Sequence, residues 1–307
     1  MILCVSLSPC LEVNIEVDSL SIGKINKVIG RKTYLTGKTL NVAIGLARLG
    51  SGAFATGFMY EDNGRLFEQE LHKEGVTYKF VWNEGRVKET YKFIDRRSML
   101  TEVVDEATAI SPQNRSMLIQ LVRDLSKNCN AIVISDSVLS GLSDDYIVEV
   151  LNSVPQDRLK IVDADGIKLL NALKCGVDLV KPNLEELQRT LNVKISDKDS
   201  LFKACEKLIE LGAKRVLVSL GKDGAVICDG KDRFYCVSMN VAMNSTAGAG
   251  DAMVAAATMA LSDGRSLDEI LRYGVAAGTA AVTQPDTLSF NREKFKEILP
   301  TLGVKRI

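Results

Sequence analysis

What most restricts the fold of this chain is the regular exchange of short β-prone runs and longer helical patterns along almost its whole length. The segments Ile2–Leu7, Ala53–Phe58, Ala131–Ser135, Lys160–Val162, Val177–Val180, Val216–Ser219 and Ala225–Cys228 are short, and most are rich in Val and Ile, as strands buried on both faces are. Between them the apolar period lengthens. It predicts helices over Leu40–Leu49, Gly64–Glu74, Pro112–Lys127, Asp144–Asn152, Leu184–Leu191 and Lys198–Leu211. The C-terminal third reads as nearly all helix, at Asp251–Leu261, Ser266–Val282 and Arg292–Leu299. Strand, helix, strand at this spacing predicts an α/β protein with a mainly parallel sheet and helices on both faces.

Two regions break the rhythm. Leu11–Leu35 and Arg86–Val104 hold β-prone, partly alternating runs, such as Val13 to Val17 and Thr90 to Ile94, with no long helix between them. They leave the main sheet and return to it, which predicts a small accessory β-sheet, a lid in character. No Pro/Ser-rich linker, internal repeat or low-complexity segment sets them apart, so residues 1–307 are expected to form one domain. A chain of 307 residues can bury a large core without disulfide or metal staples.

Composition removes several classes of function. Lys plus Arg and Asp plus Glu number 39 each, a formal net charge of zero, which argues against a general nucleic-acid binder or a polybasic membrane-surface protein. No run approaches the ~18–20 apolar residues of a membrane span. Met1 to Leu7 is too short, and lacks the basic flank, for a signal peptide. A cytoplasmic protein is expected. The seven cysteines never form a C-x-x-C pair and read as reduced, packed thiols. One histidine, His72, leaves no His-rich metal site or Ser-His-Asp triad to be built. The chemistry must run on carboxylates, amines and backbone.

Four segments can carry it. In Ser245-Thr246-Ala247-Gly248-Ala249-Gly250-Asp251, small residues let a ligand approach the backbone, and the Ala-rich helix that follows aims free N–H groups at it. Asp251 would repel an anion there unless it has another task, such as taking a proton from a hydroxyl. Equally, the glycines can simply make a turn and Asp251 stabilise a helix start. Lys181-Pro182-Asn183-Leu184-Glu185-Glu186 follows a strand. Asn183 and Glu186 have the spacing of an N-cap pair, and also stand at the sheet edge where α/β folds bind ligands, able there to hold water and magnesium beside a nucleotide. Ser219 to Gly224, between two strands, reads alone as a hairpin turn with an Asp-Gly signature. Thr36-Gly37-Lys38-Thr39-Leu40-Asn41 ends like a Walker A loop, but position 32 is Lys where that loop needs Gly. What remains is Gly37 and Lys38 ahead of a helix, suited to an anionic group.

Taken in order, these segments resemble the ribokinase-like, PfkB-type carbohydrate kinases, in the branch that phosphorylates fructose 1-phosphate or tagatose 6-phosphate. The likeness runs over nearly the whole chain and is most specific from Thr246 to Asp251. It implies a ribokinase-like three-layer α/β/α sandwich with a small β lid, made from about 11–35 and 86–104. It implies Asp251 as the base, of ordinary carboxylate pKa, with the backbone from Ala247 through Gly248, Ala249 and Gly250 stabilising the transferring phosphoryl group. Lys181, Asn183, Glu186, Ser219, Gly221, Gly224, Thr246 and Ala247 would hold ATP, with magnesium on Asn183 and Glu186 through water. Glu12, Gly37, Lys38, Asn41, Lys88 and Ser135, with Asp251, would bind the acceptor. The partners implied are a sugar phosphate, ATP and a second copy of the chain joined through the lid.

The departures from the family pattern fall at the acceptor end. Glu12 stands where an Asp is expected, Ser8 where Asn is usual, Thr36 and Thr39 where glycines flank the Gly-Lys pair, and Lys88 where an Arg meets the sugar phosphate. Asp136 stands where Gly is expected, and Asp165 where a small hydroxyl residue is common. A phosphotransferase is therefore implied more firmly than its sugar. Tagatose 6-phosphate, another sugar or a nucleoside, and a sugar-phosphate sensor without turnover are the other readings.

Overall fold

The computed structural model describes residues 1–135, 142–239, 241, 248–283 and 291–307. In chain order its elements begin with β1 (Ile2–Ser6), β2 (Cys10–Val17), β3 (Val28–Thr36), α1 (Lys38–Leu49), β4 (Ala53–Tyr60), α2 (Arg65–Lys73), β5 (Thr77–Asn83), β6 (Lys88–Ile94) and β7 (Leu100–Asp105). There follow α3 (Pro112–Ser126), β8 (Ala131–Ile134), α4 (Tyr146–Ser153), β9 (Leu159–Val162), α5 (Gly166–Leu173), β10 (Leu179–Val180), α6 (Leu184–Leu191) and α7 (Lys198–Glu210). The chain ends with β11 (Val216–Ser219), β12 (Ala225–Cys228), β13 (Arg233–Cys236), α8 (Ala249–Ser262), α9 (Leu267–Val282), α10 (Arg292–Ile298) and β14 (Val304–Arg306).

Ten described strands form the main sheet, in the order β14-β13-β12-β11-β10-β9-β8-β1-β4-β5. From β11 to β5 every pairing is parallel, and β12, β13 and β14 close one edge antiparallel. All residues of β1 and β8 are buried. Successive side chains point to opposite faces, so both faces must be covered, and a continuous Val/Ile run is the sequence that satisfies this. After β1 the chain passes on one side to β4 and β5, and on the other to β8, β9, β10 and β11. Strand order reverses there, and a crevice opens beyond the carboxyl ends of the strands.

β2, β3, β6 and β7 form a separate four-stranded sheet in the order β3-β2-β6-β7. It comes from the two β-prone regions that broke the helical rhythm. Residues Cys10 to Glu16 of β2 pair in parallel with Lys88 to Ile94 of β6, which fixes the faces. Cys10, Glu12 and Asn14 share one face with Lys88, Thr90 and Lys92.

Helix boundaries follow local chemistry. Ser111 accepts from the Asn114 N–H ahead of Pro112, and capping boxes start α6, α7 and α9 at Asn183, Asp197 and Ser266. Four described elements depart from the sequence expectation. β5, β13 and β14 mix polar residues into half-buried or edge positions, and α5 is only a two-turn segment, so none shows a clear period. The strand expected over Val177–Val180 shortens to Leu179–Val180, with Val177 making an isolated bridge to Ala213. No described helix is long and apolar enough to cross a membrane.

Where β1 meets β4, Gly57 on β4, with φ +138°, lies opposite Ser6 of β1, and an added Cβ would stand 1.8 Å from the Ser6 carbonyl oxygen. Gly57→Ala must push two buried strands apart. Urea unfolding is expected to show a loss of about 3 kcal/mol or more. A loss under about 1 kcal/mol would show that this pairing is slack.

Candidate active site

A cavity of about 1080 Å³ occupies the crevice at the carboxyl ends of β1, β9, β10 and β11, with the four-stranded sheet along one side. Every predicted site residue among the described ones lines it except Ser135. Ser245, Thr246, Ala247 and Asp136 lie outside the described residues.

The N-termini of α1 and α8 both face this space. Gly248 is the N-cap of α8 in the left-handed region, φ 79°, and no described side chain caps the helix. The N–H groups of Ala249, Gly250 and Asp251 therefore have no partner within the helix and present its positive end to the cavity. Asp251 sits in this first turn, 8% exposed. Its Oδ2 accepts a 2.7 Å hydrogen bond from Asn41 Nδ2 in the first turns of α1. Burial pushes the Asp251 carboxyl up to about 7. The Asn41 bond opposes this, the Asp163 charge adds to it, and Lys38 and Lys181 oppose it. The ordinary carboxylate pKa expected from sequence is thus corrected: desolvation at a packed helix junction outweighs two nearby ammonium groups.

Below α8 runs a buried polar chain. Lys181 Nζ lies 3.3 Å from Asp163, with both side chains almost wholly buried. Asp163 Oδ2 accepts from Ser135 Oγ at 2.9 Å, and Ser135 N–H donates to Thr39 Oγ1 at 2.9 Å. Ser135 is fully buried and stands behind the wall. The carboxylate lining the cavity here is Asp163, whereas Asp165 turns away to pair with Arg189. Lys181 Nζ is 3.6 Å from where a Cβ of Gly250 would be, which places an ammonium beneath the α8 N-terminus.

Asn183 and Glu186 form the N-cap pair that their spacing predicts, and they also stand at the cavity edge. Asn183 Oδ1 accepts from Glu186 N–H and Glu186 Oε2 accepts from Asn183 N–H, each at 2.8 Å, yet both residues line the cavity. The capping box fixes one oxygen of Glu186 and holds the carboxylate at the cavity edge. No group of three or more metal-ligating side chains exists among the described residues. Magnesium is bound through one or two carboxylates, waters and substrate phosphates rather than a protein cage, so a single anchored carboxylate fits it.

Ser219 N–H donates to the Pro182 carbonyl at 3.2 Å, joining this segment to the β11–β12 turn. There Gly221 to Asp223 form one 3₁₀ turn at the cavity wall. Beyond it the cavity becomes apolar, lined by Met239, Val241, Val275, Gly278 and Val282, with a Ser238–Thr279 hydroxyl contact of 3.4 Å. Sequence reasoning missed this arm. Its α9 residues are those of any core helix, and Gly278 in mid-helix was the one available signal.

At the opposite end, Gly37, Lys38, Asn41, Glu12 and Lys88 converge as predicted, joined by Cys10 and Thr90, which were not. Glu12 Oε2 pairs with Lys92 Nζ at 2.7 Å, and Lys92 reaches Glu102 at 3.6 Å. The cavity thus has a cationic end, an apolar end, and between them a buried carboxylate beside an uncapped helix N-terminus.

Residues 1–294 match the model of the pfkB family carbohydrate kinases. The chain is 28% identical to a 1-phosphofructokinase of Borreliella burgdorferi, covering 100% of this chain and 99% of that protein. It is 26% identical to a tagatose-6-phosphate kinase of Staphylococcus epidermidis over 99% of both. Among solved structures, the phosphofructokinase-2 from Escherichia coli in complex with potassium superposes with a TM-score of 0.90 at 28% identity, over 98% of each chain. The ribokinase-like architecture expected from the motifs is the one observed.

Because the Asp251 carboxyl titrates near 7 when folded and near 4 when unfolded, the folded state holds an extra proton between those values. Its contribution to stability is full below pH ~4 and is lost as pH rises through ~7. Asp251→Asn removes that loss. Urea unfolding without ligands should find the variant gaining on the parent by on the order of 3 kcal/mol between pH 5 and pH 8. An unchanged difference would place the carboxyl's titration elsewhere.

Proposed function

The chain belongs to the pfkB family of carbohydrate kinases, and on that premise we propose that it transfers the terminal phosphoryl group of ATP to a ketohexose phosphate, converting fructose 1-phosphate to fructose 1,6-bisphosphate. The observation that carries this reading is the Asn41–Asp251 pair at the uncapped start of α8, between an end of the cavity holding Lys38 and Lys88 and an apolar end. Two lysines suit an acceptor already bearing phosphate. The apolar arm suits a flat heterocyclic base, with Ser219, Gly221 and Gly224 along the phosphates between.

In this mechanism Lys38 and Lys88 bind the acceptor's phosphate, while Glu12, Gly37 and Asn41 orient its hydroxyls. The reacting hydroxyl faces Asp251, whose Oδ2 is held by Asn41. Its oxygen forms a bond to the terminal phosphorus of ATP as the bridging bond to ADP breaks, and its proton passes to Asp251. Phosphoryl transfer has a loose transition state, so fixed position and charge neutralisation dominate. The N–H groups of Gly248, Ala249 and Gly250 meet the charge on the transferring group, a role also assigned to Ala247, and Lys181 beneath Gly250 adds to it. Thr246 is assigned to the same phosphate site. Asn183 and Glu186 would hold magnesium through water. When bound, that ion neutralises charge on the phosphate oxygens.

The whole chain is taken as one kinase domain, with β2, β3, β6 and β7 as its lid, in the cytoplasm. A homodimer through the lid is supported by its outer strands, where Val28, Ile29, Leu100, Val103 and Val104 are each about half exposed. Tagatose 6-phosphate is the second acceptor, favoured by the near-equal identity to the staphylococcal kinase.

A coupled ADP-release assay with magnesium-ATP tests this against fructose 1-phosphate, tagatose 6-phosphate, fructose 6-phosphate, fructose, ribose and a nucleoside. Strong turnover is expected with one ketohexose phosphate, and turnover only with unphosphorylated acceptors would overturn the reading. Asp251→Asn should lower kcat about a thousand-fold with the KM for ATP nearly unchanged. Retention of full rate would remove Asp251 as the base. Lys88→Ala should raise the acceptor KM about ten-fold and leave that of ATP. Equal effects on both would undo its placement.

A further inference from the structure

Glu12 is the one carboxylate that the lid sheet places in the cationic end of the cavity, and it does not stand alone there. Within the parallel β2/β6 pair, Glu12 lies opposite Thr90 and Asn14 opposite Lys92. Lys92 therefore shares the cavity face with Lys88 and Thr90 but sits one row further out, diagonal to Glu12, a distance a lysine can span. It makes a 2.7 Å contact to Glu12 Oε2. Across the antiparallel β6/β7 pair Lys92 also faces Glu102, 3.6 Å away. The Glu12 side chain is 16% exposed and that of Lys92 27%, so the pair is shielded from bulk water on most sides. Burial works against the Lys92 charge, but the bonds to Glu12 and Glu102 hold its pKa above the ordinary lysine range.

An unpaired carboxylate here would act against Lys38 and Lys88. A phosphate monoester carries nearly two negative charges, and a third within the same partly buried space repels it. A sugar without phosphate feels no such repulsion. The contact with Lys92 cancels the Glu12 charge and anchors Oε2, so Glu12 can accept from a sugar hydroxyl while the pocket stays cationic.

We propose that Lys92 is a specificity-determining positioning residue: by pairing with Glu12 across the β2/β6 seam, it keeps a carboxylate inside the acceptor pocket compatible with a phosphorylated sugar. Lys92 acts through Glu12 and does not touch the reacting atoms. The proposal rests on the ketohexose-phosphate reading above and deepens it.

The test measures calorimetric affinity and steady-state kinetics for fructose 1-phosphate and for fructose, on the parent, Lys92→Met, Lys92→Arg and the double variant Glu12→Gln/Lys92→Met. Lys92→Met should weaken fructose 1-phosphate about ten-fold, leave fructose within roughly three-fold, and leave the KM for ATP in place. Lys92→Arg keeps the charge and should restore the phosphate preference. In the double variant no carboxylate remains to be neutralised, so the ratio between the two acceptors should return toward that of the parent. A merely structural role would weaken both acceptors and ATP together, and Glu12→Gln would not mend the ratio; either result overturns the proposal. If the parent turns over fructose 1-phosphate and Lys92→Met leaves the ratio unchanged, Lys92 alone loses its role. If the parent neither binds nor turns over any phosphorylated ketohexose, the proposal falls together with the functional reading.

Discussion

The site depends on how closely α1 and α8 approach. Gly45 of α1 faces Ala255 of α8 so tightly that an added Cβ would stand 3.0 Å from the alanine methyl. Only small residues permit that distance, and the Ala-rich α8, buried over most of its surface, is a sequence that can supply it. Packed this way, the two helices bring their uncapped N-termini to one point. The Asn41–Asp251 hydrogen bond crosses the junction between them. A looser contact would separate the amide from the carboxylate and let water into both. The orientation of the Asp251 carboxylate and its raised pKa thus have a common origin in a seam of glycine and alanine.

The same region concentrates charge that a stable core would avoid. Asp251, Asp163 and Lys181 are all nearly buried, and each alone would cost several kcal/mol to desolvate. They are arranged to limit that cost. Asp163 is satisfied by Lys181 and Ser135, and Ser135 in turn is tied to Thr39 at the start of α1. Among the described residues Asp251 receives only Asn41, and its carboxyl is the one that rises to about 7. A fully satisfied Asp251 would be a better structural residue and a poorer proton acceptor. Asn183 and Glu186 show the opposite economy, since one reciprocal hydrogen-bond pair starts α6 and also aims a carboxylate at the cavity edge.

Legibility in the sequence followed whether a function is carried by backbone or by packing. Strands buried on both faces announce themselves as Val/Ile runs, and β1, β8, β11 and β12 lie where those runs are. β13 and β14 are only four and three residues long and carry polar residues at half-buried or exposed positions, so they pass as loop. The glycine and small-residue segments at Gly37, Gly221 and Gly248 were readable because close ligand approach demands residue types that nothing else in a helix start requires. The apolar arm was not readable, because Val275 and Val282 are chosen by the same rule whether they face a neighbouring helix or a ligand. The Asp251 pKa was out of reach for a related reason. It is set by burial, which comes from the packing of α8 against α1 and its other neighbours and from no local pattern.

The acceptor end was half legible, and the reason lies in the geometry of a sheet. Gly37, Lys38 and Asn41 are near neighbours in sequence because they share one helix start. Glu12, Lys88, Thr90 and Lys92 lie on two strands joined by parallel pairing, so the segments between them carry the chain through α1, β4, α2 and β5. Read linearly, Glu12 is an added negative charge in an anion pocket and a reason to doubt that a phosphate fits. Read through the register, it has a cation one row behind it, and the objection is removed. Cross-strand charge pairs on the four-stranded sheet can change the charge of one end of the cavity without altering the helix starts of α1 and α8. On the proposed function, the helix starts and the apolar arm can therefore keep a common form while β2 and β6 set the charge that the acceptor meets.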